Sequence, residues 1–532
     1  MPQTDKKLER AVFPEQVGID SKEIEALIND YYESGIELHS LMLLRHGKVA
    51  FEGYAAPYGR DVPQTMYSVS KSVTSVAMGF AIAEGLLSLD SKVIDFFPEY
   101  RPAKRDEYLE QLTVYHLMTM TAGKQVSALA DKSEKDWIRQ FFRSKWAAQP
   151  GKKWAYISEN TYMCSAILHR ATGMGLVDYL MPRLFEPLGF TRRPEWETDS
   201  MGIEAGGWGL RLSPDELARF TLCVQQGGVF AGKQVIPADY IADATSNHVK
   251  AVSFEDPDQS RGYGYFFWQS VMKNTVRCDG MFSQFGVAFR DFDACLVCTC
   301  SEISEKKTRD CFFRHFPKMF IEESDKNPVD GVYPKLLPLE SLPAGEHCII
   351  EGLMKSKVIR TEKNAVLNAV GFPVSMLPLP AVYMSYERSG NIDNIVLDFN
   401  GDEMTMVWDE GKDHNKILCG MDGKPRTSKI HLGGMDYTAV SYAAWKNFET
   451  LEIRMRPLEA VSERRILINL NVLKGKAEII PSSMPPISAM GRGIGEIMRG
   501  SIPTDTLKGA TADLMSHLDL IVDSKIKGKI KF

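Results

Sequence analysis

The sequence predicts an α+β first domain over residues 1–325, with one sheet built from both ends of that segment around an inserted helical region, and a β-rich second domain over residues 326–532. Three observations predict it. The apolar period switches between helical and strand-like within the first domain, and strand signals return near Tyr263 after a helical middle. Alternation then dominates beyond the charged, proline-bearing stretch Glu322-Glu-Ser-Asp-Lys-Asn-Pro328. The length of 532 residues also exceeds the roughly 250–300 at which a single core stops growing.

In chain order, Glu23-Ile-Glu-Ala-Leu-Ile-Asn-Asp-Tyr-Tyr32 places apolar residues at helical spacing. Leu41-Met-Leu-Leu-Arg-His-Gly-Lys-Val-Ala-Phe-Glu-Gly53 reads as a hairpin, two apolar runs with His46-Gly47-Lys48 at the turn. A mostly apolar helix is expected from Ser68 to Glu84, closed by Gly85. Residues 105–250 are expected to be mainly helical and to form a subdomain. Within them, Ser213-Pro214-Asp215-Glu216 offers an N-cap, a proline at the first helical position and acids in the first turn. Strands are expected at Tyr263-Gly-Tyr-Phe-Phe-Trp268 and from Val287 to Cys300, followed by an aromatic helix near Phe312-Phe313.

In the second domain, turn signals such as Ser389-Gly-Asn and Met421-Asp-Gly separate the strands. Thr450-Leu-Glu-Ile-Arg-Met-Arg456 and Ile466-Leu-Ile-Asn-Leu-Asn-Val472 alternate, which favours an antiparallel sandwich or barrel. A helix is expected near Asp513-Leu-Met-Ser-His-Leu-Asp-Leu-Ile-Val522. Gly491-Arg-Gly-Ile-Gly495 reads as a turn rather than a phosphate loop, because Pro485-Pro486 precede it where a strand is required. The basic end, Lys525-Ile-Lys-Gly-Lys-Ile-Lys531, is expected to be a solvated terminal segment.

The net charge of -6 is small for this length and forms no long one-sign block, so no nucleic-acid or anionic-membrane partner is expected. The first residues carry no apolar run of the secretory kind, which predicts a cytoplasmic chain. No stretch of about 18 apolar residues reads as a membrane span. The nine cysteines are odd in number and scattered, so no disulfide framework is expected. Their one cluster, Cys295-Leu-Val-Cys298-Thr-Cys300, lacks a second ligand pair and reads as a buried strand; no metal or cofactor is expected.

The chemistry centres on Tyr67-Ser68-Val69-Ser70-Lys71-Ser72, at the start of the apolar helix. A spacing of three puts hydroxyl and amine on one helical face. A serine is a weak nucleophile until a base takes its proton, and a lysine serves once burial lowers its pKa. Pro150-Gly-Lys-Lys-Trp-Ala-Tyr156-Ile-Ser158-Glu-Asn160 adds a phenol able to relay that proton, and in Ser158 a donor able to orient lysine or substrate, with Asn160 a further polar candidate on the substrate side.

These residues, in this order, resemble serine hydrolases related to class C β-lactamases, DD-peptidases, esterases and 6-aminohexanoate-dimer hydrolases. Ser40–Gly53, Leu86-Leu-Ser-Leu-Asp-Ser-Lys-Val-Ile-Asp-Phe-Phe-Pro-Glu-Tyr100, Leu112-Thr-Val-Tyr-His-Leu-Met-Thr-Met-Thr-Ala-Gly123 and Gly206-Gly-Trp-Gly-Leu-Arg-Leu-Ser213 extend the resemblance over about residues 12–320. It implies a β-lactamase/transpeptidase-like antiparallel sheet flanked by helices, an all-helical subdomain, and a site between them in which Ser68 and Lys71 form the first motif and Tyr156 leads the second. β-Lactamases end that second motif in asparagine; Ser158 stands there instead, as in the esterase and amino-acid-oligomer branch. Comparable hydrolases also carry a small C-terminal β-barrel, for which shielding the cleft, a homo-oligomer contact and partner binding are open roles.

By position, the third motif of that family falls at Gly280-Met281-Phe282-Ser283-Gln284, which has neither the lysine nor the histidine usual there. A free carboxylate should therefore be poorly recognised. The backbone amide of Gln284 can still join that of Ser68 as an oxyanion hole, since main-chain donors do not depend on side-chain identity. Met281 and Phe282 fit either an apolar substrate pocket or strand packing, and Ser283 completes the segment. His116 reads as structural, while Trp137, Trp154, Trp208 and Trp268 are candidates for the cleft or the core. The expected activity is hydrolysis of a small-molecule ester or amide through acyl-Ser68. Acyl transfer to an alcohol or amine is one alternative, and a non-turnover sensing protein another. β-Lactamase and DD-peptidase activities rank below these, because they usually require export.

Overall fold

The turn His46-Gly47 sets the first strand pairing. Both residues have positive φ, 51° and 75°, the backbone whose twist matches that of a two-residue hairpin. It joins Leu38–Arg45 to Lys48–Tyr54, with Leu43 opposite Phe51. In the computed structural model, which describes residues 8–125, 135–251, 256–326, 334–362, 375–378, 390–486 and 523–531, the chain divides into two units, Met1–Leu337 and Pro338–Phe532.

Seven strands make the main sheet of the first unit: β1 (Glu9–Arg10), β2 (Leu38–Arg45), β3 (Lys48–Tyr54), β4 (Trp268–Gln269), β5 (Thr275–Gly280), β6 (Gln284–Phe289) and β7 (Ala294–Cys300). Their order is β1-β3-β2-β7-β6-β5-β4, so the N-terminal hairpin and the later meander meet at the β2–β7 pairing, with Leu43 opposite Leu296. All pairs are antiparallel except β1–β3. Every residue of β7 is buried, including Cys295, Cys298 and Cys300, which are free thiols in an apolar strand.

The helices that matter here are α1 (Ser21–Glu33), α2 (Val69–Ala83), α3 (Ser158–Thr172), α4 (Pro214–Gln225) and α5 (Glu305–His315). Along β6, successive side chains alternate between faces. Phe285 and Phe289 meet Phe312 and Phe313 of α5, with ring centroids 5.7 and 6.5 Å apart, and α1 packs on α5. Gly286 faces the other way, where a Cβ would collide with Thr221 of α4. On that face α4 covers β6, β7 and β2, while α2 covers β5 and packs on α3.

The Ser213 signal produces a full capping box: Glu216 N donates to Ser213 Oγ at 3.3 Å, and Ser213 N donates to Glu216 Oε2 at 2.8 Å. Ser213→Ala should cost about 1 kcal/mol of stability, read as a lower urea midpoint for the full-length chain.

Several elements differ from the sequence expectation. Of Tyr263–Trp268, only Trp268 enters a strand; Gly262 at φ 145° and Phe266 at φ 62° turn the chain before it can extend. The expected run Val287–Cys300 is two strands, divided at Arg290–Phe292 and the left-handed Asp293. The segment Met281–Ser283 is a turn between β5 and β6, with Phe282 at φ 63° and Ser283 at φ 66°.

The second unit is a closed β-barrel. Ten described strands form it: β8 (Val358–Thr361), β9 (Ile392–Asn400), β10 (Glu403–Glu410), β11 (Asp413–Gly420), β12 (Arg426–Leu432), β13 (Met435–Trp445), β14 (Thr450–Pro457), β15 (Glu463–Asn471), β16 (Lys476–Met484) and β17 (Ile526–Lys531). Their order is β11-β10-β9-β8-β17-β16-β15-β14-β13-β12, closed where Gly420 of β11 meets Tyr442 of β13. Leu451, Ile453 and Met455 of β14, with Ile466, Ile468 and Leu470 of β15, fill its core. The basic end is therefore not a solvated tail: β17 pairs with both β8 and β16. Ile530 is buried, whereas Lys527, Lys529 and Lys531 are exposed, and Gly528 leaves room for Ile359. The expected helix near Asp513–Val522, the glycine turn at 491–495 and Ser389 lie outside the described residues.

Candidate active site

The loop entering α2 is bent at Tyr67, a non-glycine residue at φ 45°. Its buried ring packs against Phe282 at 5.1 Å between centroids. Ser68 follows as the N-cap of α2, but its side chain makes no cap hydrogen bond. The hydroxyl is thus left for other partners, and the residue is only partly buried.

Lys71 sits one turn into α2 and is 1% exposed. Its Nζ lies 2.9 Å from Ser68 Oγ and donates to the Gly207 carbonyl at 2.7 Å. Burial lowers the amine to about 7, against the opposing fields of Glu159 and Glu305. Desolvation outweighs both carboxylates: the amine is enclosed between Ser68, the Gly207 carbonyl and the Tyr156 ring.

Tyr156 shares a hydrogen bond with Ser68, and its ring centroid is 4.9 Å from Lys71 Nζ. Burial drives the phenol well above its ordinary pKa. The three groups thus divide by charge state: near neutrality the amine exchanges its proton, while the phenol keeps its own. Tyr156 stacks on Trp268 at 5.5 Å, and Trp154 and Tyr263 close a four-ring cluster around them.

Ser158 begins α3 beside this group. A Cβ built on Gly207 would lie 3.0 Å from Ser158 O and 3.5 Å from Lys71 Nζ, so the Gly206-Gly207 loop passes close against both α2 and α3. Thr74 Oγ1 fixes the loop by donating to Gly206 O at 2.8 Å.

The other expected residues lie in varied places. Asn160 is buried on α3, its Nδ2 contacts Met120 Sδ at 3.4 Å, and its Oδ1 has no hydrogen-bond partner among the described residues. Phe282 is 1% exposed beneath Tyr67, whereas Met281 is partly open. Ser283 is buried, donating to Glu302 O at 3.2 Å and accepting from Thr308 Oγ1 at 2.8 Å. Gln284 turns its amide inward to Phe282 O and Cys300 O, at 2.9 and 2.7 Å. Its backbone starts β6 opposite Gly280, where a Cβ would collide with Met66 O, two residues before Ser68. The end of β5 therefore borders the Ser68 turn. Trp137 and Trp208 pack on each other in the core, at 5.4 Å. His116 Nδ1 accepts from Thr113 N at 3.1 Å and caps a short helix.

Three contributors were not singled out from the sequence. Gly207 belongs to the Gly-Gly-Trp-Gly run noted above, but only the fold shows that its carbonyl meets the amine. Glu159 stands between Ser158 and Asn160 and is buried. Glu305 comes from α5, far along the chain, and gives no local signal. Burial raises its carboxyl to about 7.

A serine, a buried amine and a phenol in mutual contact, at the end of an antiparallel sheet, form a candidate site for nucleophilic chemistry. The Beta-lactamase family profile matches residues 24–302, more than half of the chain, and the chain belongs to this family. It is 24% identical over 207 residues to Esterase EstB of Burkholderia gladioli, covering 33% of this chain and 53% of that protein. It is 22% identical over 220 residues to 6-aminohexanoate-dimer hydrolase of Paenarthrobacter ureafaciens, covering 38% and 55%. The chain thus spans about half the length of the curated relatives it matches. A solved penicillin-binding protein homologue from Caulobacter crescentus superposes with a TM-score of 0.45 at 16% identity, over 56% of this chain and 97% of that one. No described helix is long and apolar enough to cross a membrane.

Proposed function

We propose that the chain is a serine hydrolase of a small-molecule ester or amide, acting through an acyl-Ser68 intermediate. The observation that carries the reading is the 2.9 Å approach of Lys71 Nζ to Ser68 Oγ, with the amine lowered to about 7. As Oγ attacks the substrate carbonyl carbon, its proton passes to the neutral Lys71 amine. Tyr156, protonated and in contact with Ser68, then hands a proton to the departing alkoxide or amine and is reprotonated from Lys71. Water attacks the acyl-serine in the second half, its proton returning by the same groups. Main-chain amides at Ser68 and Gln284 are the proposed oxyanion donors, with Ser158 beside the amine as an orienting group.

The absence of a cation in Gly280–Gln284 and the presence of Ser158 favour esters and simple amides over penicillin-type acids. The three rings around Tyr156 favour a second reading, transfer of the acyl group to an alcohol or amine, since an apolar wall beside the proton relay disfavours water. A panel of chromogenic esters, amides and a β-lactam, run with and without alcohol or amine acceptors, tests both. Release of free acid from esters supports hydrolysis, and acceptor-dependent product supports transfer. No turnover with any ester or amide would contradict the proposal.

A further inference from the structure

Resting on the acyl-Ser68 reading, we infer that the site selects esters or amides carrying a cationic group, an ammonium held by Glu305 beside the aromatic cluster. The wall next to the Ser68 turn is anionic. Arg277 and Asp279 of β5, Arg309 and Glu305 of α5, and Asp256 and Asp258 of the preceding loop form one network, four carboxylates against two guanidiniums. Neither guanidinium can turn outward. Arg277 is wholly buried between Asp258 and Asp279, and Arg309 is 2% exposed against Asp256. The neighbouring lysines are also paired, Lys306 with Asp310 at 2.5 Å and Lys307 with Glu302 at 2.6 Å.

Glu305 differs from the rest of the network. Its side chain is 22% exposed, against at most 11% for the others, and its contact with Arg309 is the longest in the network, 3.8 Å. It is the first residue of α5, and the start of that helix is sewn to the Met281–Ser283 turn by Ser283, Thr308 and Glu302. The same turn supports Tyr67, so Glu305 borders the Ser68 site, and its field reaches both Lys71 and Tyr156. Above the pKa of about 7 to which burial raises it, a carboxylate so placed and loosely paired favours a cation and repels an acid. Of the clustered rings, Trp154 and Tyr156 stay partly exposed, with Tyr263 and Trp268 buried behind them, and aromatic faces are what desolvated ammonium groups prefer.

The test uses matched ester series in which the acyl part, or separately the alcohol part, ends in a trimethylammonium, a tert-butyl or a carboxylate group. In at least one series the cationic ester should exceed its neutral match by about tenfold or more in kcat/KM, and the acid should fall below it. Glu305→Gln should bring the ratio of cationic to neutral kcat/KM close to one, whatever change its effect on Lys71 makes to both rates. Equal rates for cationic and neutral esters in both series, or a preference that survives Glu305→Gln, would overturn the inference. Hydrolysis of neutral esters that depends on Ser68 would leave the acyl-enzyme reading standing in that event. Failure of every ester would sink both.

Discussion

Ser68→Ala is expected to lower ester turnover by on the order of 10⁴-fold or more, to the background of a site that binds but cannot be acylated. The loss should fall in kcat and leave substrate binding nearly unchanged. The fold should not suffer, because the Ser68 hydroxyl does not cap α2 and faces Lys71 and Tyr156 instead. Far-UV circular dichroism and the urea midpoint of the variant should therefore match the wild type. A variant that unfolds less cooperatively would mean that the serine supports structure; one that retains turnover would remove it as nucleophile.

Lys71 should give the second largest effect, and a diagnostic pH dependence. With its amine lowered to about 7 by burial, the neutral, proton-accepting form predominates above that pH and the ammonium below it. Log kcat/KM should rise with unit slope below about 7 and level off above it. Lys71→Ala should cost about 10²–10⁴-fold, the usual contribution of general base catalysis, and should abolish the limb near 7. Tyr156 cannot be the source of that limb, since its phenol is shifted upward, away from neutrality. Stability is linked in the same direction. The unfolded lysine holds its proton up to about 10.5, and the folded one releases it near 7, so this group favours the unfolded chain below about 10.5 and does so progressively until pH 7.

Local patterning carried much of the fold. The His46-Gly47 turn, the Ser213 cap and the strand at Thr450–Arg456 appear as expected, because each is set by a few neighbouring residues, although Glu452, Arg454 and Arg456 are buried along with the apolar face. The misreadings share a cause. Lys525–Lys531 alternates lysine with Ile526, Gly528 and Ile530, yet its charge content concealed a strand whose partners, Val358–Thr361 and Lys476–Met484, lie well before it. Val287–Cys300 carries its break at Arg290-Asp-Phe-Asp293, a charged run that the apolar stretches on either side concealed. At the site, Ser68, Lys71 and Tyr156 were legible as spacing and order, whereas Gly207 and Glu305 reach the amine only through tertiary folding. Asn160 is buried beside Met120, and Ser283 bonds Glu302 O and Thr308, contacts that spacing alone does not foretell.

The most direct test of an acyl-Ser68 intermediate is intact-protein mass spectrometry after brief mixing with an ester and acid quench. An acyl-enzyme mechanism predicts a single added acyl mass on the wild-type chain, located by peptide mapping to Ser68, that decays as free acid appears and is absent from Ser68→Ala. Turnover with no adduct at the earliest times, or an acyl group on any other residue that forms and decays at the rate of turnover, would contradict it.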